Sequence, residues 1–256
     1  METAVIESPH VKIEVLSGLE AVSHKAAETF FNISRSCIST RGKFSVAISG
    51  GSTPRGLYTL LATSAYRDRI DWPNVHFFWV DERCVPRDHE ESNFKAASDA
   101  FLLKIPIPDE NIHRIKGEEF PGKAAREYQE ELWEFFGRSG FPIFDLIILG
   151  VGEDGHTASL FPGSKALNER ERLAVPVYLK KPETNRVTLT LPVLNNTSQT
   201  LFLVSGASKA TILSEIIENE DNKAKYPAGL IAPIHGDILW LIDQEAAGKL
   251  RKDVKT

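Results

Sequence analysis

The chain has 256 residues, of which 42% are hydrophobic and 25% charged, and its net charge at pH 7 is −5. That length allows a large core in one α/β domain, or at most two, and the acidic balance excludes bulk attraction to nucleic acid or an anionic membrane. An anionic ligand must therefore be held by local positive groups.

The opening METAVIESPHVKIEV lacks a basic segment followed by an apolar one, so no secretory leader is expected. No run approaches 18 consecutive apolar residues, so no membrane span is expected either. Cys37 and Cys84 are the only cysteines and form no C-x-x-C, which reads as reduced thiols in the cytoplasm.

In chain order, VKIEVL (11–16) reads as a strand and residues near 19–38 as a helix. FSVAI (44–48) is a second strand, and SGGSTP follows it. Gly50 and Gly51 let the backbone approach a ligand, Ser52 and Thr53 offer hydroxyls, and a helix over 54–63 begins there with Thr53 as N-cap and Pro54 in its first turn. Exposed N–H groups at a helix start form a small anion site. With no G-K-[ST] ending, a monophosphate fits better than a nucleoside triphosphate. A plain capped turn is the simpler alternative.

VHFFWV (75–80) reads as a buried strand and runs into DERCVP. Asp81 and Arg83 share a face if the strand persists. Arg83 could clamp an anion or steady an oxyanion, and Asp81 could accept hydroxyl hydrogen bonds or hold Arg83. A surface ion pair would explain the same residues. Helices follow near 92–103 and 122–138, the second with Ala125, Tyr128, Leu132, Phe135 and Phe136 on one face.

FDLIIL (144–149) leads into LGVGEDGHTASLFPG (149–163). Gly150, Gly152 and Gly155 satisfy the dinucleotide spacing G-x-G-x-x-G, but Glu153 and Asp154 would repel a pyrophosphate. Pro162-Gly163 also arrives too soon for the long helix that fold requires. The match is a decoy. A bend at Gly155 instead brings Asp154 and His156 together, which fixes the imidazole tautomer and leaves one nitrogen to take a proton from water. His10, His24, His76, His89, His113 and His235 read as surface or structural histidines. No ligand cluster of diagnostic spacing supports a metal at Asp154 and His156.

RVTLTL (186–191) and TLFLV (200–204) are strands separated by too short a link for a crossover helix, so an antiparallel pair is expected. Arg186 opens the first. Lys209, in SGASKA, stands on the first turn of a helix over 207–218, where the dipole disfavours a cation. Both could reach an anion held at Gly50-Gly51. ILWLI (238–242) is the last strand. The alternation predicts a single α/β domain over 1–256: a mostly parallel, mixed sheet with helices on both faces and Rossmann-like topology. The active site is expected at the C-terminal strand ends, where the three loaded loops should meet.

SGGSTP, WVDERCVP with ESN following, LGVGEDGHTASLFPG, Arg186 and SGASK together resemble the 6-phosphogluconolactonase family, within the larger group that includes glucosamine-6-phosphate deaminase. The likeness runs from about Lys12 to Asp243. It implies hydrolysis of 6-phospho-D-glucono-1,5-lactone without a metal or organic cofactor. A monomer or weak homo-oligomer is expected, and the acidic balance speaks against a nucleic-acid or membrane partner. By position, His156 is the implied general base with Asp154 beside it. Gly50, Gly51, Ser52, Thr53, Arg186 and Lys209 hold the phosphate, and Asp81 and Arg83 face the substrate. Deaminases are expected to show Tyr where Arg83 stands and Glu where Phe161 stands. A non-catalytic sugar-phosphate sensor would need neither Asp154 nor His156.

Overall fold

Runs that are apolar on both faces form strands buried on both sides, and these strands build the centre of the molecule. The computed structural model describes residues 4–8, 10–180 and 184–251. Its strands are β1 (Ala4–Ser8), β2 (Val11–Leu16), β3 (Phe44–Ile48), β4 (Val75–Trp79), β5 (Asp81–Arg83), β6 (Ile112–His113), β7 (Leu146–Leu149), β8 (Ala174–Val177), β9 (Arg186–Leu189), β10 (Gln199–Val204) and β11 (Asp237–Asp243). The α-helices are α1 (Leu19–Arg41), α2 (Ser52–Leu61), α3 (Ser64–Arg67), α4 (Asn93–Ala100), α5 (Pro121–Phe136), α6 (Leu191–Leu194), α7 (Ala210–Ile217) and α8 (Glu220–Lys223).

Eight strands form one sheet in the order β1-β2-β11-β10-β7-β3-β4-β6, parallel throughout except for β1 against β2. Adjacent side chains on β4 show how it is covered. Phe77 meets Phe30 of α1 at 6.0 Å between ring centroids. Phe78 points the other way, to Phe135 and Phe136 of α5 at 5.1 and 5.5 Å. Helices therefore lie on both faces, and each buried phenylalanine contributes roughly 2–3 kcal/mol by area.

Two expectations need correction. The strand at 186 does not pair with the strand at 200. β9 instead lies between β5 and β8 in a separate three-stranded antiparallel sheet, while β10 runs parallel between β7 and β11. The link folds partly into α6, and strands of different sheets need no crossover helix. The antiparallel member of the main sheet is β1, upstream of the expected first strand. The second correction concerns the helix after SGGSTP, which starts at Ser52 with Gly51 as N-cap and no side-chain cap. Thr53 and Pro54 thus lie inside the first turn.

β3 is followed on one side by β4 and β6, and the chain then crosses back to place β7 on its other side. Strand order reverses between β3 and β7. In a sheet of this kind a crevice opens at that point, beyond the C-terminal strand ends.

Candidate active site

SGGSTP leaves β3, DER continues from β4, GVGEDGH leaves β7 and SGASK leaves β10, and these four strands are neighbours in the order β10-β7-β3-β4. Their loops enclose a cavity of about 250 Å³ lined by Gly50, Gly51, Ser52, Thr53, Asp81, Arg83, His156 and Lys209. Ser49, Asn93 and Ser205 also line it. Of the residues singled out in the sequence, Asp154 and Arg186 are outside this lining, Asp154 against His156 and Arg186 opposite Arg83.

The β7 loop is shaped around the imidazole. Gly155 takes φ +80°, the bend the sequence called for. A Cβ on Gly152 would overlap the His156 ring, so a side chain there is excluded. His156 O accepts from Gly152 N–H at 2.8 Å, and Thr157 Oγ1 donates to Gly150 O at 2.8 Å. No helix follows Gly155 before Pro162, as the rejection of a dinucleotide site required.

Asp154 Oδ1 lies 2.6 Å from His156 Nδ1 and accepts from the His156 backbone N–H at 3.1 Å. A carboxylate only accepts, so Nδ1 carries the proton and Nε2 keeps its lone pair. Partial burial works to raise the Asp154 carboxyl, but the His156 N–H and imidazole outweigh it and hold the group below its ordinary range. Phe161 covers another side of the ring at 4.7 Å between centroids.

The loops after β3 and β10, the strands flanking β7, make a cationic wall. α2 presents the N–H groups of Ser52 and Thr53 with no side chain satisfying them, and its dipole adds positive potential. Lys209 is half-buried on the turn after β10. That turn is anchored by Asp243 at the end of β11, which accepts from Ser205 Oγ and from the N–H groups of Gly206 and Ala246.

Arg83 and Arg186 are directly opposed across β5 and β9. Burial, and after it the charge of Arg83, lowers the Arg186 guanidinium below its ordinary value. Neither forms a carboxylate ion pair among the described residues: Arg83 donates to Glu91 O at 2.8 Å and Arg186 to Thr184 O at 2.5 Å. The charges of Asp81 and Glu91 reach Arg186 without pairing with it, and two adjacent guanidinium groups favour an incoming anion.

Asp81 does not hold Arg83. Its oxygens accept from Ser159 Oγ at 2.6 Å and Asn93 Nδ2 at 3.2 Å, joining the β7 loop to α4. Glu82 points away from the cavity and accepts from Arg83 N, Asn93 N, Phe94 N and Ser92 Oγ at the start of α4. Burial pushes its carboxyl up to about 7 despite those N–H donors. The sequence reading left Ser159, Asn93, Glu82 and Asp243 without roles. Glu82, the Ser92-Asn93 of ESN and Ser159 lay within stretches already conspicuous for charge and spacing; Asp243 did not. Among the described residues, no three His, Cys, Asp or Glu are grouped to hold a metal ion.

A family model described as glucosamine-6-phosphate isomerases/6-phosphogluconolactonase matches residues 17–240. The chain belongs to this family. It is 40% identical over 243 residues to a 6-phosphogluconolactonase of Synechocystis sp., covering 94% of this chain and 98% of the relative. A 6-phosphogluconolactonase of Rattus norvegicus is 37% identical over 238 residues, 92% of each chain. A solved 6-phosphogluconolactonase from Trypanosoma brucei is similar at a TM-score of 0.82 and 27% identity, covering 93% of this chain and 98% of that one.

Proposed function

We propose that this chain, acting as one domain, hydrolyses 6-phospho-D-glucono-1,5-lactone to 6-phospho-D-gluconate, the second step of the oxidative pentose phosphate pathway. One observation carries the reading: a carboxylate-oriented imidazole and an uncapped helix start flanked by Lys209 and Arg83 line a single cavity of about 250 Å³. The names of the Synechocystis and Rattus norvegicus relatives agree with it.

In this mechanism the phosphate sits against Gly50, Gly51, Ser52 and Thr53, with Lys209 and Arg186 supplying charge, and so presents the lactone to His156. Water attacks C1 while His156 Nε2 takes its proton. The imidazolium is steadied by Asp154, and nearby N–H groups or Arg83 stabilise the oxyanion. The C1–ring oxygen bond then breaks, and the imidazolium returns the proton to the departing oxygen. The product is an open-chain acid, which ionises. A positioned base of this kind contributes about 10²–10⁴ in rate.

Ring opening and deamination of an amino sugar need proton transfer among several groups. The resemblance places such groups at positions 83 and 161, where this chain has Arg83 and Phe161. The Phe161 ring against His156 leaves no carboxylate on that side. The free Cys37 and Cys84 thiols support a reducing compartment such as the cytoplasm.

The test offers the phosphorylated lactone and glucosamine 6-phosphate separately, recording acid and ammonia release. Acid release from the lactone alone is expected; ammonia from the amino sugar with no lactonase activity would overturn the reading.

A further inference from the structure

Ala158 lines the cavity two residues beyond His156, and it is a non-glycine residue with φ +48°. The left-handed region brings Cβ against the following backbone, so such a residue persists only where its surroundings impose it. Its next neighbour is bound on both sides. Ser159 N–H donates to Thr188 Oγ1 at 3.2 Å, and Ser159 Oγ donates to Asp81 Oδ2 at 2.6 Å. Ser159, Thr188 and Asp81 are 1%, 0% and 7% exposed. These bonds connect the β7 loop to β9 and to β5.

Inside the loop, Leu160 N–H donates to Thr157 O at 2.9 Å and Gly152 N–H to His156 O. The imidazole therefore stands on a tight turn whose polar attachments to the second sheet, among the described residues, pass through Ser159. A charge-assisted bond to a buried carboxylate is of the strength needed to hold a strained turn.

We propose that Ser159 is a positioning residue: its bond to the buried Asp81 carboxylate holds Ala158 in the left-handed conformation and thereby fixes His156 at the cavity wall. Asp81 acts through this tie rather than as a partner of Arg83. The kinetic consequence rests on the lactone-hydrolysing reading; the structural one does not.

Ser159→Ala removes the tie without adding volume. Its kcat on the phosphorylated lactone is expected to fall about 10- to 100-fold with KM within about 3-fold, because a displacement near 1 Å at a catalytic group costs on that order. Amide exchange at Gly152 and Leu160 is expected to quicken by at least about 10-fold while the core of α1 keeps its protection. Glycine adopts the left-handed region freely, so Ala158→Gly added to Ser159→Ala should recover about half of the lost kcat on a logarithmic scale.

A general packing defect predicts no such recovery. Parent-like kcat and exchange in Ser159→Ala, or a loss that the glycine leaves untouched, overturns the proposal. If Ser159→Ala does not fold, Ser159→Cys, which keeps the side chain but puts a weak S–H donor against Asp81, carries the same expectations at smaller size. A parent chain inactive on the lactone removes the reaction, and the exchange measurement then decides the tie alone.

Discussion

His156 and Asp154 lie two residues apart across a glycine with φ +80°, and what they achieve depends on which nitrogen keeps its lone pair. Removing the imidazole in His156→Ala should lower kcat by at least about 10² and leave KM nearly unchanged in steady-state assays, since phosphate binding is separate from proton transfer. Near-normal turnover would take His156 out of the chemistry. On the cationic wall, Lys209→Ala and Arg186→Ala each remove a charge-assisted contact of about 1.5–3 kcal/mol. Titration calorimetry with 6-phosphogluconate should then read an affinity about 10- to 100-fold weaker. Parent-like binding in both variants would mean that the phosphate lies elsewhere.

At the level of elements, three residues of β5 divide their work by strand alternation. Asp81 and Arg83 turn to the cavity, and Glu82 between them turns to the first turn of α4. Ser92 completes that helix start: its Oγ accepts from Lys95 N–H at 3.1 Å while donating to Glu82 at 3.1 Å. Ser92→Ala loses a cap and leaves one buried carboxylate oxygen short of a donor, so stability should fall by about 1–2 kcal/mol. For a chain of this size that is a drop of roughly 2–8 °C in the thermal midpoint. An unshifted melting curve would show that Glu82 alone suffices to cap α4. The same alternation on β4 sends Phe77 and Phe78 to opposite helical layers, so one short strand joins both halves of the core to the DER segment.

The whole molecule carries a pH dependence set far from the cavity. His76 Nδ1 lies 3.1 Å from His113 Nε2, and His113 Nδ1 lies 2.6 Å from Glu131 of α5. Phe135 and Lys43 are also near this group, the Lys43 ammonium over the Phe135 ring. Burial, then the charges of His113 and Lys43, lowers His76 from 6.5 to about 4. The unfolded chain therefore binds the extra proton first. Stability held by neutral His76 is complete above pH 6.5 and is lost as pH falls toward 4. The full shift, discounted because the ring is half-exposed, corresponds to about 1–2 kcal/mol.

Glu82 has the opposite sign: its raised carboxyl favours the fold at low pH, and that contribution fades as pH climbs from 4.5 through about 7. Comparing the parent with His76→Asn in urea at several pH values cancels the Glu82 contribution. The parent should lose more stability than the variant across this window. Parallel pH profiles would assign the acid sensitivity to other groups.

Local patterns were enough to announce the α/β alternation, seven strands (β2, β3, β4, β7, β9, β10 and β11), the acid–histidine pair and the glycine loop. Each depends on residues within a few positions of one another: a buried run, a bend at Gly155, a helix start within SGGSTP. Partnership between distant segments was another matter. The short link after Leu191 looked like a hairpin, yet β9 found its partners in β5 and β8, because pairing is decided by which edge has free N–H and C=O groups in space. No individual role for Ser159, Asn93 or Asp243 was legible in the sequence. Each is a common polar residue, and its meaning arises only when folding buries it against another segment: Asp81 for Ser159 and Asn93, and the Ser205-Gly206 turn for Asp243. Spacing along the chain determined which groups could do chemistry; burial and long-range hydrogen bonding decided which residues hold them in place.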